Sequence, residues 1–187
     1  MASEAAHLGN ASNFRLMFQD EGRFGRVGFP RRAWAPEGCR PECPGQIIRE
    51  YIYAYSAISP LDGKIESLIV PRADSDLMGL FLEQVSERFP NDKILMVADK
   101  AAWHTTGKLV IPSNLKLAFL PPYSPQLNPV EHLWKEIREK WFANRVFKSL
   151  DAVEGQLFDA LASMNMNPEY VRSFAGFDWI IDSLLYL

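Results

Sequence analysis

The stretch Phe119–Trp141 reads F-L-P-P-Y-S-P-Q-L-N-P-V-E-H-L-W-K-E-I-R-E-K-W and changes character near Asn128. Its first part, through Pro129, holds four prolines. Each fixes φ and removes a backbone donor, so this part is a rigid extended loop rather than an interior strand or a helix. Asn128 then opens a helix: Asn is a favoured N-cap, Pro129 takes the first helical position, and Glu131 falls three residues after the cap. Val130, Leu133, Trp134, Ile137 and Trp141 follow on one side as a core-facing stripe. A stiff loop that sets a carboxylate on the first turn of a helix is a way to aim it. Asn128 to Glu131 also matches a capping box, in which the glutamate folds back onto the N–H of the cap. Partners elsewhere in the chain decide between the two.

Working outward, Leu115–Leu120 and Lys93–Ala98 are apolar runs of the kind buried on both faces of a sheet. Leu77, Leu80, Phe81, Val85 and Phe89 recur at helical spacing, with Asp74 or Ser75 as cap and Pro90 as stop. Trp103–Val110 reads as a short helix or turn, and a helix is expected from about Leu150 to Met164. Nearer the N-terminus, Phe14–Phe18 reads as a strand ending in Gln19-Asp20-Glu21. Arg49–Ser59 and Ile65–Val70 pair around an Asp62-Gly63 turn. Between these strands Gly22–Gly45 reads as an insertion loop rich in Arg and aromatic residues. A three-strand antiparallel meander followed by alternating strands and helices predicts an α/β fold: a mixed sheet, its last two strands parallel, with helices on both faces. Ribonuclease-H-like folds have this order, as do several other mixed α/β domains.

Composition sets the bounds. The chain has 187 residues, 48% of them hydrophobic, with 5 Trp and 12 Phe, which suits one domain with a full core. A net charge of -3 argues against strong autonomous DNA affinity but is silent on local patches. Two cysteines, Cys39 and Cys43, with no second ligand pair nearby, read as free thiols rather than a zinc site. Neither a signal peptide nor a membrane-spanning apolar run is seen, so a cytoplasmic protein without membrane partners is expected.

Three acids occupy comparable places. Asp20 and Asp99 end two strands, and Glu131 begins the helix after the last one. Neighbouring strand ends would bring the aspartates together, with the proline loop swinging Glu131 across. Converging carboxylates repel one another unless a cation neutralises them. All-oxygen ligands suit Mg²⁺ or Mn²⁺. Two such ions about 3.5–4 Å apart serve phosphodiester cleavage or transfer. A strand-end aspartate taken singly is more commonly a turn or cap residue.

The residues around these acids also carry a resemblance. F-Q-D-E-G-R-F-G (Phe18–Gly25), V-A-D-K-A-A-W-H (Val97–His104) and L-P-P-Y-S-P-Q-L-N-P-V-E-H-L-W (Leu120–Trp134) resemble the three signature blocks of DDE transposases, in particular the mariner-related transposases of bacterial insertion sequences. R-R-A-W-A-P-E-G (Arg31–Gly38) is similar to that group as well. The resemblance implies a ribonuclease-H-like catalytic domain, with Asp20, Asp99 and Glu131 as its metal-binding triad. It further implies cutting of DNA at transposon ends and joining of the freed 3′-hydroxyl to target DNA. Lys100 stands where the family usually has Asn or Gly; a cation there can pair with Asp99 or contact a phosphate. The helix-turn-helix DNA-binding modules that usually precede the first block are not expected in this chain. It reads as the catalytic half, a truncated copy or the second of two overlapping frames, acting as a homodimer or with an N-terminal DNA-binding partner.

Other candidates have two readings each. His104 matches the family's A-x-x-H and can orient the scissile phosphate, or it is a core histidine. His132 is read as structural, and Asn128 as support for the site. Arg23, Arg31, Arg32 and Trp34 make a DNA-contact or dimerisation element, or a solvated loop with one buried Trp. Lys135 and Arg138 face DNA or belong to a solvated helix face. Two further functions stay beside the transposase: an inactive fragment that regulates by binding DNA or transposase, and a ribonuclease acting on RNA–DNA hybrids.

Overall fold

The computed structural model describes residues 13–28, 31, 33–99 and 109–184. Five strands form one sheet: β1 Phe14–Gly28, β2 Gln46–Ile58, β3 Ile65–Val70, β4 Lys93–Ala98 and β5 Leu115–Phe119. Their spatial order is β3-β2-β1-β4-β5. β1, β2 and β3 pair antiparallel, while β4 joins β1 and β5 joins β4 in parallel. The expected meander with two added parallel strands is therefore present.

Among the described residues five α-helices pack with the sheet: α1 Ser75–Arg88, α2 Val130–Lys140, α3 Leu150–Asn165, α4 Pro168–Ala175 and α5 Asp178–Leu184. α1 begins where Asp74 accepts a hydrogen bond from the Leu77 N–H, a side-chain cap that satisfies one otherwise unpaired helix donor. Its Met78, Phe81, Leu82 and Val85 pack with Met17, Tyr55, Ile94 and Met96 on one face of the sheet. On the other face Leu16, Phe18, Leu95 and Val97 meet α2 through Leu133, Trp134 and Ile137, and meet α3 through Val153 and Leu157. Side chains alternate along a strand. The even-numbered residues of β1 and the odd-numbered residues of β4 thus share the α2 face.

One boundary differs from the sequence reading. β1 does not stop beside Asp20 but runs on to Gly28, paired with β2 from Phe18–Ile58 through Gly25–Tyr51, before a register shift ahead of Val27–Ile47. Its glycines are close-approach positions within a strand and not loop signals. A Cβ on Gly22 would lie 2.8 Å from the Trp134 ring, and one on Gly25 would lie 2.2 Å from the Glu50 carbonyl oxygen. The segment expected as a loop from Gly22 is consequently strand through Gly28, and β2 begins at Gln46 rather than Arg49. The β2–β3 turn does use Asp62-Gly63, with Gly63 at φ 68°. The short helix or turn read at Trp103–Val110 falls mostly on residues outside those described.

Candidate active site

The pairing of β1 with β4 runs from Phe14–Lys93 to Phe18–Val97. Two residues beyond the last pair stand Asp20, which the alternation along β1 directs to the α2 face, and Asp99, just past the end of β4. β4 ends at Ala98, whereas β1 continues with β2 as its partner, Asp20 opposite Ser56. Asp20 is thus held in a ladder on one side and open on the other. Glu131 lies on the first turn of α2. All three acids line one cavity of about 350 Å³. Its opposite wall is the proline loop, Leu120 to Pro125, and Asn128.

Asn128 ties this loop to the sheet. It is buried, its Nδ2 donates to the Gln19 carbonyl at 3.0 Å, and its Oδ1 accepts from the Val130 N–H at 3.1 Å. α2 starts one residue later than expected, at Val130, with Pro129 in the cap position. The capping box is not formed: the Asn128 N–H goes to the Pro125 carbonyl at 2.9 Å. Glu131 is left exposed at the cavity, and its charge reaches Asp20.

Asp20 is the perturbed member. Desolvation by burial raises its pKa from 3.8 to about 7, and the negative charges of Glu131 and Glu21 add to the rise. The Trp134 indole N–H, donating to Oδ2 at 2.9 Å, works the other way by favouring the carboxylate. Trp134 is almost wholly buried and packs edge-on to Phe24 with centroids 5.7 Å apart. Sequence reading placed Trp134 only in the core stripe. The available signal was its indole N–H, which needs a partner when buried. Trp134→Phe should leave Asp20 titrating above its present value of about 7; carbon-detected NMR of the carboxyl groups measures it, and an unchanged or lower midpoint contradicts the assignment.

A second cavity, of about 200 Å³, is lined by Arg23, Arg31 and Arg138 together with Phe24 and Phe142. Glu131, Trp134 and Arg138 follow one another at helical spacing on α2, so one helix face carries an acid, the indole that supports Asp20, and a base. The Arg138 guanidinium stands 5.3 Å above the Phe24 ring. Burial lowers its pKa and Arg31 adds to that, while Glu131 and Asp20 oppose it. Arg23 covers Tyr51 at 4.5 Å. Arg31 is tied by its N–H to Asn144 Oδ1 at 2.8 Å and approaches Glu139 at 3.9 Å. The structure therefore brings Arg138 of α2 together with Arg23 and Arg31, which the sequence offered as part of a separate element. Lys135 is exposed on α2, and Trp34 is fully exposed rather than buried. Lys100, His104 and Arg32 lie outside the described residues. His132 bonds the Phe174 carbonyl through Nδ1 at 3.0 Å, in keeping with a structural role. Cys39 and Cys43 are free thiols.

Among the described residues no three His, Cys, Asp or Glu side chains are gathered closely enough to hold a metal ion as they stand. The three acids line the cavity without closing on one point. Their chemistry still fits a hard divalent cation: every donor is a carboxylate oxygen, and burial, with the charges of Glu131 and Glu21 added, pushes Asp20 towards its neutral form.

The mixed sheet, with carboxylates beside its β1–β4 parallel pair, has the ribonuclease-H-like arrangement. Residues 15–154 match the DDE superfamily endonuclease family, and the chain belongs to it. The uncharacterized protein y4pE/y4sA of Sinorhizobium fredii (strain NBRC 101917 / NGR234) is 33% identical over 130 residues, which is 69% of this chain and 96% of that protein. Among solved structures, the Mos1 transposase paired-end complex with left transposon end shares the fold at a TM-score of 0.61 and 13% identity, covering 94% of this chain and 59% of that one. The Mos1 mariner paired end complex with Mn gives 0.59 and 12%, covering 87% and 56%. The present chain thus spans less than two thirds of those transposase chains. Among the described residues no helix is long and apolar enough to cross a membrane.

Proposed function

We propose that this chain is the catalytic domain of a DDE transposase. It cuts DNA strands at transposon ends and joins the freed 3′-hydroxyl to target DNA. The observation that carries the reading is the placement of Asp20, Asp99 and Glu131 around one cavity on one face of the sheet. Membership of the endonuclease family and the transposase titles of like-folded chains support it.

Asp20, Asp99 and Glu131 are the residues that would hold two Mg²⁺ or Mn²⁺ ions. When bound, such ions activate the attacking oxygen and stabilise the leaving one. The chain's own groups do the rest. β1 and β4 fix two carboxylates, Asn128 and the prolines fix the third, and the Trp134 indole favours the charged form of Asp20. Cleavage spends water on one phosphodiester and leaves a 3′-hydroxyl. In the joining step that hydroxyl replaces one phosphodiester by another, so no external energy source is required. Arg23, Arg31 and Arg138 line the path of the DNA backbone next to the acids, and Arg32, Trp34 and Lys135 add DNA contacts. Lys100 and His104, following Asp99 in the chain, support the scissile phosphate. A second copy, or a separate helix-turn-helix half, supplies recognition of the ends. The protein works in the cytoplasm, on the nucleoid.

The test is strand nicking and joining on duplex DNA carrying the ends of the encoding element, with Mg²⁺ or Mn²⁺ against chelator. Divalent-dependent products on DNA are expected. Preference for an RNA–DNA hybrid would favour a ribonuclease. Tight DNA or transposase binding with no product from a folded chain would favour the regulatory fragment. In the same assay Arg138→Gln should weaken binding of every duplex alike. The slope of log affinity against log salt should shrink by about one phosphate contact. An unchanged slope removes Arg138 from the DNA path.

A further inference from the structure

A groove of about 740 Å³ runs between β3 and α3 and shares no lining residue with the carboxylate cavity. Among the described residues β3 is the outer strand of the sheet, paired only with β2. Gln84 of α1 donates to the Ser67 carbonyl at 3.2 Å, so a side chain stands in for part of a ladder on that outer edge. Strand alternation turns the N–H and C=O of Ile69 the same way. Across the groove α3 presents Phe158, 63% exposed, with Asp151, Glu154 and Asp159, all exposed. The groove's other acid, Glu66, is engaged by Gln84 and by Arg88 at 3.8 Å; among the described residues no Lys or Arg lines the groove. Gly155 sits in the interior of α3 on the same groove. Glycine weakens a helix interior relative to alanine, and here a Cβ would meet nothing within 4 Å. Among the described residues no neighbour requires it. A bare helix surface is what a backbone arriving from outside requires.

We propose that this groove takes an extended segment of another polypeptide, bearing lysine or arginine at alternate positions, as a sixth strand on β3. Edge addition supplies main-chain hydrogen bonds and turns every second side chain towards α3. Lysine or arginine stems there cover Phe158, while their charges reach Asp151, Glu154 and Asp159. The charge of the groove also selects against a second copy of this chain. Two-fold pairing of β3 with itself would bring two α3 helices onto one face, acids against acids.

The experiment titrates the full chain into a short labelled peptide that alternates valine and lysine, followed by fluorescence anisotropy. Saturable one-to-one binding is expected, and none by a peptide with glutamate in place of lysine. Methylating the backbone nitrogens of the lysines or of the valines blocks one edge of the peptide at a time. One of these two forms should bind about tenfold more weakly than the parent peptide. Gly155→Ala should raise the chain's denaturant midpoint and yet weaken the peptide about tenfold, a combination that a purely structural glycine does not give. Glu154→Gln should weaken the peptide and leave the midpoint where it was. No saturable binding, or equal affinity for the parent peptide and both methylated forms, would overturn the added strand. So would a stabilised Gly155→Ala chain that binds as well as the parent. Dimerisation in sedimentation that Gly155→Ala abolishes would assign the groove to a second copy instead.

Discussion

Asp99→Asn and Glu131→Gln should each abolish divalent-dependent cleavage, lowering its rate about a thousandfold or more, and Asp20→Asn should do the same. A bound divalent ion contributes several kcal/mol of charge stabilisation, and each lost 1.36 kcal/mol is tenfold in rate. The substitutions keep shape and hydrogen-bonding capacity while removing one negative charge. Asp99 and Glu131 are exposed, so their variants should unfold within about 0.5 kcal/mol of the parent. Rates measured beside denaturant midpoints separate the two effects. Unchanged cleavage in correctly folded variants would remove these residues from the chemistry, and the family relationship would then have to rest on other groups.

The second large effect is on stability and has the opposite sign. Asp20 has a folded-state pKa of about 7 against an ordinary 3.8. A carboxyl raised on folding is more protonated in the folded state than in the unfolded one between those two values. Stability therefore falls as pH rises from about 4 to about 7, and the whole penalty is in force above that. At 1.36 kcal/mol per pH unit of difference it amounts to about 4 kcal/mol at most. In chelator, Asp20→Asn should stabilise the fold by about 2–4 kcal/mol at pH 8 and by almost nothing at pH 4. Added Mg²⁺ or Mn²⁺ should raise the parent's Tm at pH 8 and leave that of Asp20→Asn nearly where it was. Thermal melts at both pH values check this, and a parent with pH-independent stability would show that the carboxyl is not strained. A site that is costly when empty and useful when loaded is the behaviour expected of a buried carboxylate beside other acids.

Much of the molecule was legible from local signals. Asp74 and Pro90 bracket α1, the apolar runs at β4 and β5 stand where expected, and the stripe Val130, Leu133, Trp134, Ile137 does face the core. Period and punctuation report such elements because they arise from neighbouring residues. The extent of β1 was hidden for the converse reason. Gly22 and Gly25 resemble loop residues until the Trp134 ring and the Glu50 carbonyl are seen to occupy the space of a Cβ. The same holds for the capping box, whose pattern is complete in the sequence. Its one available N–H is taken by the Pro125 carbonyl, and this leaves Glu131 at the cavity.

By itself, then, the sequence determined the order of elements as far as the helix at Leu150 and the mixed sheet, because these depend on spacing along the chain; it offered three acids as candidates, and the family through the resemblance of its signature blocks. Only the tertiary structure decided what those acids meet. The register of β1 on β4 brings Asp20 and Asp99 to one cavity, the Asn128 clamp on Gln19 ties down the loop before Glu131, and burial makes Asp20 the strained member. Those outcomes depend on contacts between residues 79 to 114 positions apart, from the β1–β4 pairs to Trp134 with Asp20. No local pattern encodes them.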